Sequence, residues 1–144
     1  MNTDIHSVTE REVVDIVEKA IDEDKAIRIG VVNAAKLVNM QSDALLADDV
    51  RSSDLVLADG KSAVWASRIL GQGLPERVAG CDLMYRFFEL ANKRHWRVYC
   101  LGATEEISAL VEQNLARQYP NLTLAGRRNG YFSTEEEPEI AQEI

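Results

Sequence analysis

LVLADGKSAVWASRILGQGLPERVAGCDL, Leu55 to Leu83, is the stretch that decides the fold. It opens on an apolar run, Leu55-Val56-Leu57-Ala58, which stops at Asp59-Gly60. A helical pattern follows at once through Val64, Trp65, Ile69 and Leu70. Such a run is a buried strand entering a tight turn and then a helix. In an open α/β sheet this turn lies at the carboxyl edge of the strands, where ligands bind. Asp59 is therefore the first candidate for chemistry, with the N-cap of the following helix as its structural alternative.

The same strand–turn–helix grammar recurs on both sides. Upstream, Thr9 and Glu12 fit a capping box, and Val13, Ile16, Val17, Ala20 and Ile21 repeat at helical spacing. Asp22-Glu23-Asp24 holds an Asp-x-Asp, but it follows a helix rather than a buried strand and reads as a solvated helix end. Ala26 to Val32 is expected as a strand, Asn33 as a second strand-to-helix turn, and Leu37 to Val50 as one helix. Asn33 suits an N-cap, and equally an amide contact to a nucleotide or sugar.

Downstream, Gly71, Gly73 and Pro75 break the helix after Asp59, and Leu74 to Gly80 has no helical period. A helix is expected from about Cys81 to His95, with Asp82 in its first turn and His95 as a partner of its terminal dipole. Arg77 is a candidate for phosphate, or one half of a surface ion pair. Trp96 to Leu101 predicts a strand that stops at Gly102, with Thr104 capping a helix from Glu105 to Tyr119. The Gly102 turn is either an anion site at a helix start or simply a tight turn. Leu122 to Ala125 predicts a short strand, and Gly126 to Phe132 a loop whose Arg127 and Arg128 face an anion or solvent. Ser133 is expected to cap a last acidic segment, Thr134 to Ile144. Strands alternating with helices predict an α/β, Rossmann-like, mainly parallel sheet with helices on both faces, as one domain over residues 1–144.

Composition narrows the function classes. A formal charge of −8 disfavours nucleic acid and anionic membranes by bulk electrostatics, though not a local basic patch. No apolar run reaches the length of a membrane helix. MNTDIHSVTEREVVD lacks the basic and apolar regions of a secretory signal, which predicts a cytoplasmic chain. Cys81 and Cys100 are then most simply free thiols.

DLVLADGKSAVWASRILG, PERVAGCDL, VYCLGA and YPNLTLAGRRNGYF, in this order, resemble the WecG/TagA/CpsF family of bacterial glycosyltransferases, glycosyltransferase family 26. The resemblance covers roughly Ile29 to Phe132. It implies transfer of a sugar, of the N-acetylmannosamine type in the best-known members, from a nucleotide-diphosphate donor to a polyprenyl-linked acceptor in cell-surface polysaccharide synthesis. It also implies an inverting single displacement.

On that footing Asp59 is expected to act as base, and Arg77 and the Gly102 turn to meet the leaving diphosphate, with Arg127 a weaker candidate. Asn33, Gly60, Gly80, Asp82, Gly130 and Tyr131 are expected to hold the donor. No cofactor or metal is expected. Two departures stand out. The family usually carries Thr where this chain has Val31, and its members continue past the GYF segment to a Gly-x-Pro-x-Gln-Glu motif and an arginine-containing tail, which this sequence lacks. The expectation is a shortened domain, its membrane contact supplied by the absent part or by a partner, with homo-oligomerisation left open. The alternative is a non-catalytic nucleotide-sugar-binding or interaction module descended from the family. A dehydrogenase domain is disfavoured, because no Gly-x-Gly-x-x-Gly is present.

Overall fold

The structure, a computed structural model, describes residues 4–71 and 73–144. The first three residues of the stretch read for a secretory signal lie outside them. The element order is α1 (Glu10–Asp22), β1 (Ile29–Val32), α2 (Ala34–Asn39), α3 (Ala44–Arg51), β2 (Leu55–Ala58), α4 (Lys61–Ile69), α5 (Gly80–Arg94), β3 (Arg97–Leu101), α6 (Glu105–Gln118), β4 (Thr123–Arg128), a 3₁₀ turn (Thr134–Glu136) and α7 (Glu137–Glu143). This is the expected α/β alternation, and every strand pair is parallel. Hydrogen bonding divides the strands into two pairs, β1–β2 and β3–β4, where the sequence suggested one sheet. Each ladder closes over its own helical crossover, α2–α3 or α6. The chain forms two compact units, Met1–Tyr85 and Arg86–Ile144.

In the first unit β2 is buried along its whole length, so both of its faces are covered. β1 pairs with one of its edges, Gly30 opposite Val56 and Val32 opposite Ala58. Val32 and Val56 pack with Met40, Ala47 and Val50 of the α2–α3 crossover. On the other face Val31 approaches Gly80, where α5 begins. The second edge of β2 is sealed by side chain and loop. Val56 N–H donates to His6 Nδ1 at 3.0 Å, and His6 N–H donates to Val56 O at 2.8 Å. Two residues on, Val78 N–H donates to Ala58 O at 3.0 Å. Leu74, Val78 and Ala79 are buried, which pins the aperiodic 74–80 connection along the strand.

Local sequence explains most element ends. Thr9 and Glu12 form the anticipated capping box, and Glu76 accepts from Glu10 N–H at 2.7 Å. The single helix expected over Leu37 to Val50 is instead two. Asp43 accepts from Leu46 N–H at 3.0 Å and so starts α3 afresh after the polar turn 41–43. β1 is also shorter than expected, beginning at Ile29.

In the second unit β4 runs to Arg128, past the Ala125 at which it was expected to end. A bulge permits this. Val98 pairs with Leu124 and Tyr99 with Gly126, leaving Ala125 as the extra residue. A Cβ on Gly126 would sit 2.6 Å from Tyr99 Cε2, so only glycine leaves room for the ring. Arg127 and Arg128 are therefore consecutive strand residues facing opposite ways. Arg127 meets Glu105 and Glu112 of α6, both at 2.6 Å. Arg128 meets Glu136 at 3.0 Å and Glu143 of α7 at 3.2 Å. These contacts put α6 and α7 on opposite faces of this sheet.

Candidate functional site

β2 delivers Asp59 to the carboxyl edge of the first sheet, where its N–H donates to Val32 O at 2.8 Å. Gly60 then adopts φ 133°, a backbone state that side chains rarely allow. The turn leaves Gly60, not Asp59, as the N-cap of α4, with no side-chain cap bond. The Asp59 carboxylate is thus not spent on capping.

Arg77 reaches this edge from the pinned connection. Its Nη2 donates to Asp82 Oδ2 at 2.7 Å, and its Nη1 lies 3.7 Å from Asp59 Oδ1. The second distance is an ion pair without a hydrogen bond. Side-chain exposures of 33% for Asp59, 44% for Arg77 and 53% for Asp82 leave all three open to a ligand. A guanidinium has five N–H donors, so two carboxylates do not exhaust it. Beside it stand the uncapped amino end of α4 and Asp82 in the first turn of α5. The arrangement offers one cation, a helix start suited to an anion and two carboxylates at the carboxyl edge of the first sheet.

Asn33 lies at the carboxyl end of β1 and caps α2, its Oδ1 accepting from Lys36 N–H at 2.9 Å. The capping role weighed for it is real, and it uses the oxygen of the amide. Gly80 opens α5 with ordinary contact to Val31, a Cβ there lying 3.6 Å from Val31 Cγ2. The position occupied by Thr in the family resemblance is thus a methyl-lined approach to the start of α5.

Gly102, Gly130 and Tyr131 belong to the second unit. Gly102 sits at φ 137° and Ala103 at φ 60°. Gly102 N–H donates to Arg128 O at 3.0 Å, and Gly130 N–H to Ala103 O at 2.9 Å. A Cβ on Gly130 would meet Gly102 Cα at 3.0 Å, so the turns after β3 and β4 interlock. Tyr131 projects from this edge, 79% exposed.

The amino end of α6 is already served. Thr104 accepts from Ile107 N–H at 3.4 Å, and Glu105 and Glu106 occupy its first turn. A hydrogen bond from its own backbone N–H, and then one from the Thr104 side chain, hold the Glu106 carboxyl below its ordinary range. Arg127, weighed as solvent-facing or as an anion ligand, is committed to Glu105 and Glu112. Those hydrogen bonds raise its pKa further.

Tyr99 Oη has no accessible surface and no hydrogen-bond partner among the described residues. Loss of solvent above all, then the neighbouring Glu143 carboxylate, pushes its pKa up. Cys81 and Cys100 are both free, and burial pushes the Cys100 thiol up. Among the described residues no group of His, Cys, Asp and Glu has metal-ligating geometry, and no helix is long and apolar enough to cross a membrane.

Sequence reasoning found Asp59, Arg77 and Asp82 separately, without their mutual contact. It missed the bare amino end of α4. Gly60 immediately after a buried strand, with no Ser, Thr, Asp or Asn at the cap itself, was the available signal.

Comparison with known proteins bears on this geometry. The sequence model described as the glycosyl transferase WecG/TagA/CpsF family matches residues 1–144. A Bacillus subtilis (strain 168) protein named N-acetylglucosaminyldiphosphoundecaprenol N-acetyl-beta-D-mannosaminyltransferase is 31% identical over 119 residues, which is 82% of this chain and 46% of that protein. A Staphylococcus aureus (strain MRSA252) protein of the same name is 34% identical over 88 residues, 61% of this chain and 34% of that protein. The chain therefore spans less than half the length of either relative.

Proposed function

From its membership of the WecG/TagA/CpsF family of glycosyl transferases, to which this chain belongs along its whole length, we propose that it takes part in sugar transfer from a nucleoside-diphosphate donor to a lipid-linked acceptor. The names of the relatives favour an N-acetylmannosaminyl group moving to an undecaprenyl-diphosphate-linked N-acetylglucosamine. The observation that carries the proposal is the Asp59–Arg77–Asp82 cluster at the carboxyl end of β2. Such work belongs at the cytoplasmic face of a membrane, where a soluble nucleotide sugar meets a lipid-linked acceptor.

In this proposal the acceptor hydroxyl oxygen attacks the anomeric carbon and its proton passes to the Asp59 carboxylate. The bond from the anomeric carbon to the diphosphate oxygen breaks, and the diphosphate leaves with the electron pair. A single displacement of this kind inverts the anomeric centre. Arg77 and the amino end of α4 meet the charge that develops on the diphosphate. Asp82 steadies the guanidinium, and Asn33, Gly60 and Gly80 shape the donor side of the first unit. Gly102, Gly130 and Tyr131 of the second unit keep only the donor contact that the sequence resemblance implies. All of these roles fall to the chain's own residues, without a metal or cofactor.

A non-catalytic donor-binding module is the competing assignment, favoured by the absence of a hydroxyl at Val31. Asp59→Asn separates the two when sugar transfer to a polyprenyl-linked acceptor is followed beside calorimetric donor binding. The expected outcome is donor binding close to wild type with turnover reduced by about 10²–10⁴-fold, the usual share of a general base. Unchanged turnover removes Asp59 as the base. Donor binding by the wild type with no turnover at all favours the module.

A further inference from the structure

α4 turns two unlike faces to its surroundings. Ala63 and Val64 are buried, and Ala63 packs on Ala58 and Leu74. Trp65 and Ile69, one turn apart, lie opposite the buried pair, and Lys61 and Arg68 lie along one side of them. There Trp65 is 68% exposed and Ile69 84%, with Leu70 at 78% just beyond the helix. Lys61 and Arg68 flank them, and from Lys61 to Pro75 the sequence has no Asp or Glu. Among the described residues neither cation enters an ion pair, whereas Arg51, Arg77, Arg127 and Arg128 all do. In a chain of net charge −8 this is a local basic and apolar face.

We propose that the outward face of α4 docks on an anionic lipid bilayer surface. A tryptophan and aliphatic side chains flanked by unpaired cations match the apolar and anionic layers of a headgroup region. A nine-residue helix, about 14 Å long, is too short to span a bilayer and lies along its surface. A second copy of the chain fits this face poorly. A stable protein interface needs roughly 800 Å² from each partner, far more than three large apolar side chains provide. Self-pairing would also bring Lys61 and Arg68 towards their own kind. The purpose of docking rests on the lipid-linked acceptor of the proposed function; the docking itself does not.

The test is co-sedimentation of the chain with vesicles that contain neither acceptor nor nucleotide sugar. Binding to phosphatidylglycerol-containing vesicles, weaker on pure phosphatidylcholine and falling with added salt, is expected. R68A should weaken it about fivefold, the usual contribution of one basic residue at such a surface, and W65S/I69S should abolish it. All these positions are exposed, so circular dichroism should remain that of the wild type. D59N should bind vesicles as the wild type does, which separates docking from transfer. No sedimentation at low salt, or binding indifferent to R68A and W65S/I69S, overturns the proposal. So does a concentration-dependent dimer in analytical ultracentrifugation that W65S/I69S abolishes.

Discussion

Arg77→Ala tests the site most directly, because structure and ligand binding respond to it on different scales. Its pair with Asp82 is a 2.7 Å hydrogen-bonded contact, and that with Asp59 is a 3.7 Å ion pair. All three side chains are between one third and just over one half exposed, so solvent screens both pairs heavily. Exposed pairs contribute about 0–1 kcal/mol each, and losing both should lower Tm by only a few degrees, roughly 2–4 °C per kcal/mol. Binding of a diphosphate is another matter. A hydrogen bond to a charged group is worth about 1.5–3 kcal/mol, or roughly 10- to 150-fold in Kd at 1.4 kcal/mol per decade. Calorimetric titration with UDP and a UDP-N-acetylhexosamine, with and without magnesium, measures that loss beside a thermal melt. Arg77→Lys should recover only part of it, since an ammonium does not reproduce the planar fork. Donor binding by a folded Arg77→Ala protein at wild-type affinity would refute the diphosphate role. A large fall in stability would instead make Arg77 a strut between two carboxylates.

Three further outcomes follow from features away from the site. His6→Ala should cost about 1–3 kcal/mol in chemical denaturation, because it strands the buried Val56 N–H; stability equal to wild type would mean that this edge is closed some other way. Gly126→Ala should cost about 1–3 kcal/mol by forcing a methyl against the Tyr99 ring, 2.6 Å from Cε2, and Tyr99→Leu should restore much of it in a double-mutant cycle. Glu12 and Glu136 both have lowered pKa values, chiefly through hydrogen bonds from the backbone N–H groups of Thr9 and Ser133 respectively. A lowered folded value means that their stabilisation is complete above the unfolded value near 4.5 and is lost as pH falls through the folded one. An acid titration by NMR should show the Thr9 and Ser133 amide signals moving together with those carboxyls, and Glu136→Gln should remove the Ser133 response.

Much of this was legible because it is local. An apolar run ended by Asp59-Gly60 and followed by helical spacing admits few structures, and β2–α4 is the expected one. The Thr9, Asn33 and Thr104 caps were legible for the same reason, since a cap and its partner lie within three residues. What escaped is long-range or depends on geometry rather than residue type. The Arg77 contacts join the end of a strand to an aperiodic connection, and periodicity reports burial without naming a neighbour. His6 seals an edge 50 residues away by a side-chain acceptor, for which no sequence pattern exists. β4 looked finished at Ala125 because Gly126 and the two arginines resemble a loop; a bulge and an aromatic ring resting on a glycine keep it a strand.

The extra residue at Ala125 also makes β4 tolerant of one change in length and intolerant of the next. Strand residues alternate sides by count, but Ala125 and Gly126 together stand opposite Tyr99, so the count is one residue out at that point. Deleting Ala125 would leave Leu124 opposite Val98, Gly126 opposite Tyr99 and Arg127 opposite Cys100, the partners they already have. Arg127 would still face Glu105 and Glu112, and Arg128 would still face Glu136 and Glu143. Inserting a residue between Gly126 and Arg127 would instead turn each arginine to the wrong side, and all four charge pairs would fail together. Across descendants of this sequence, length should therefore vary at position 125 and stay fixed immediately after Gly126.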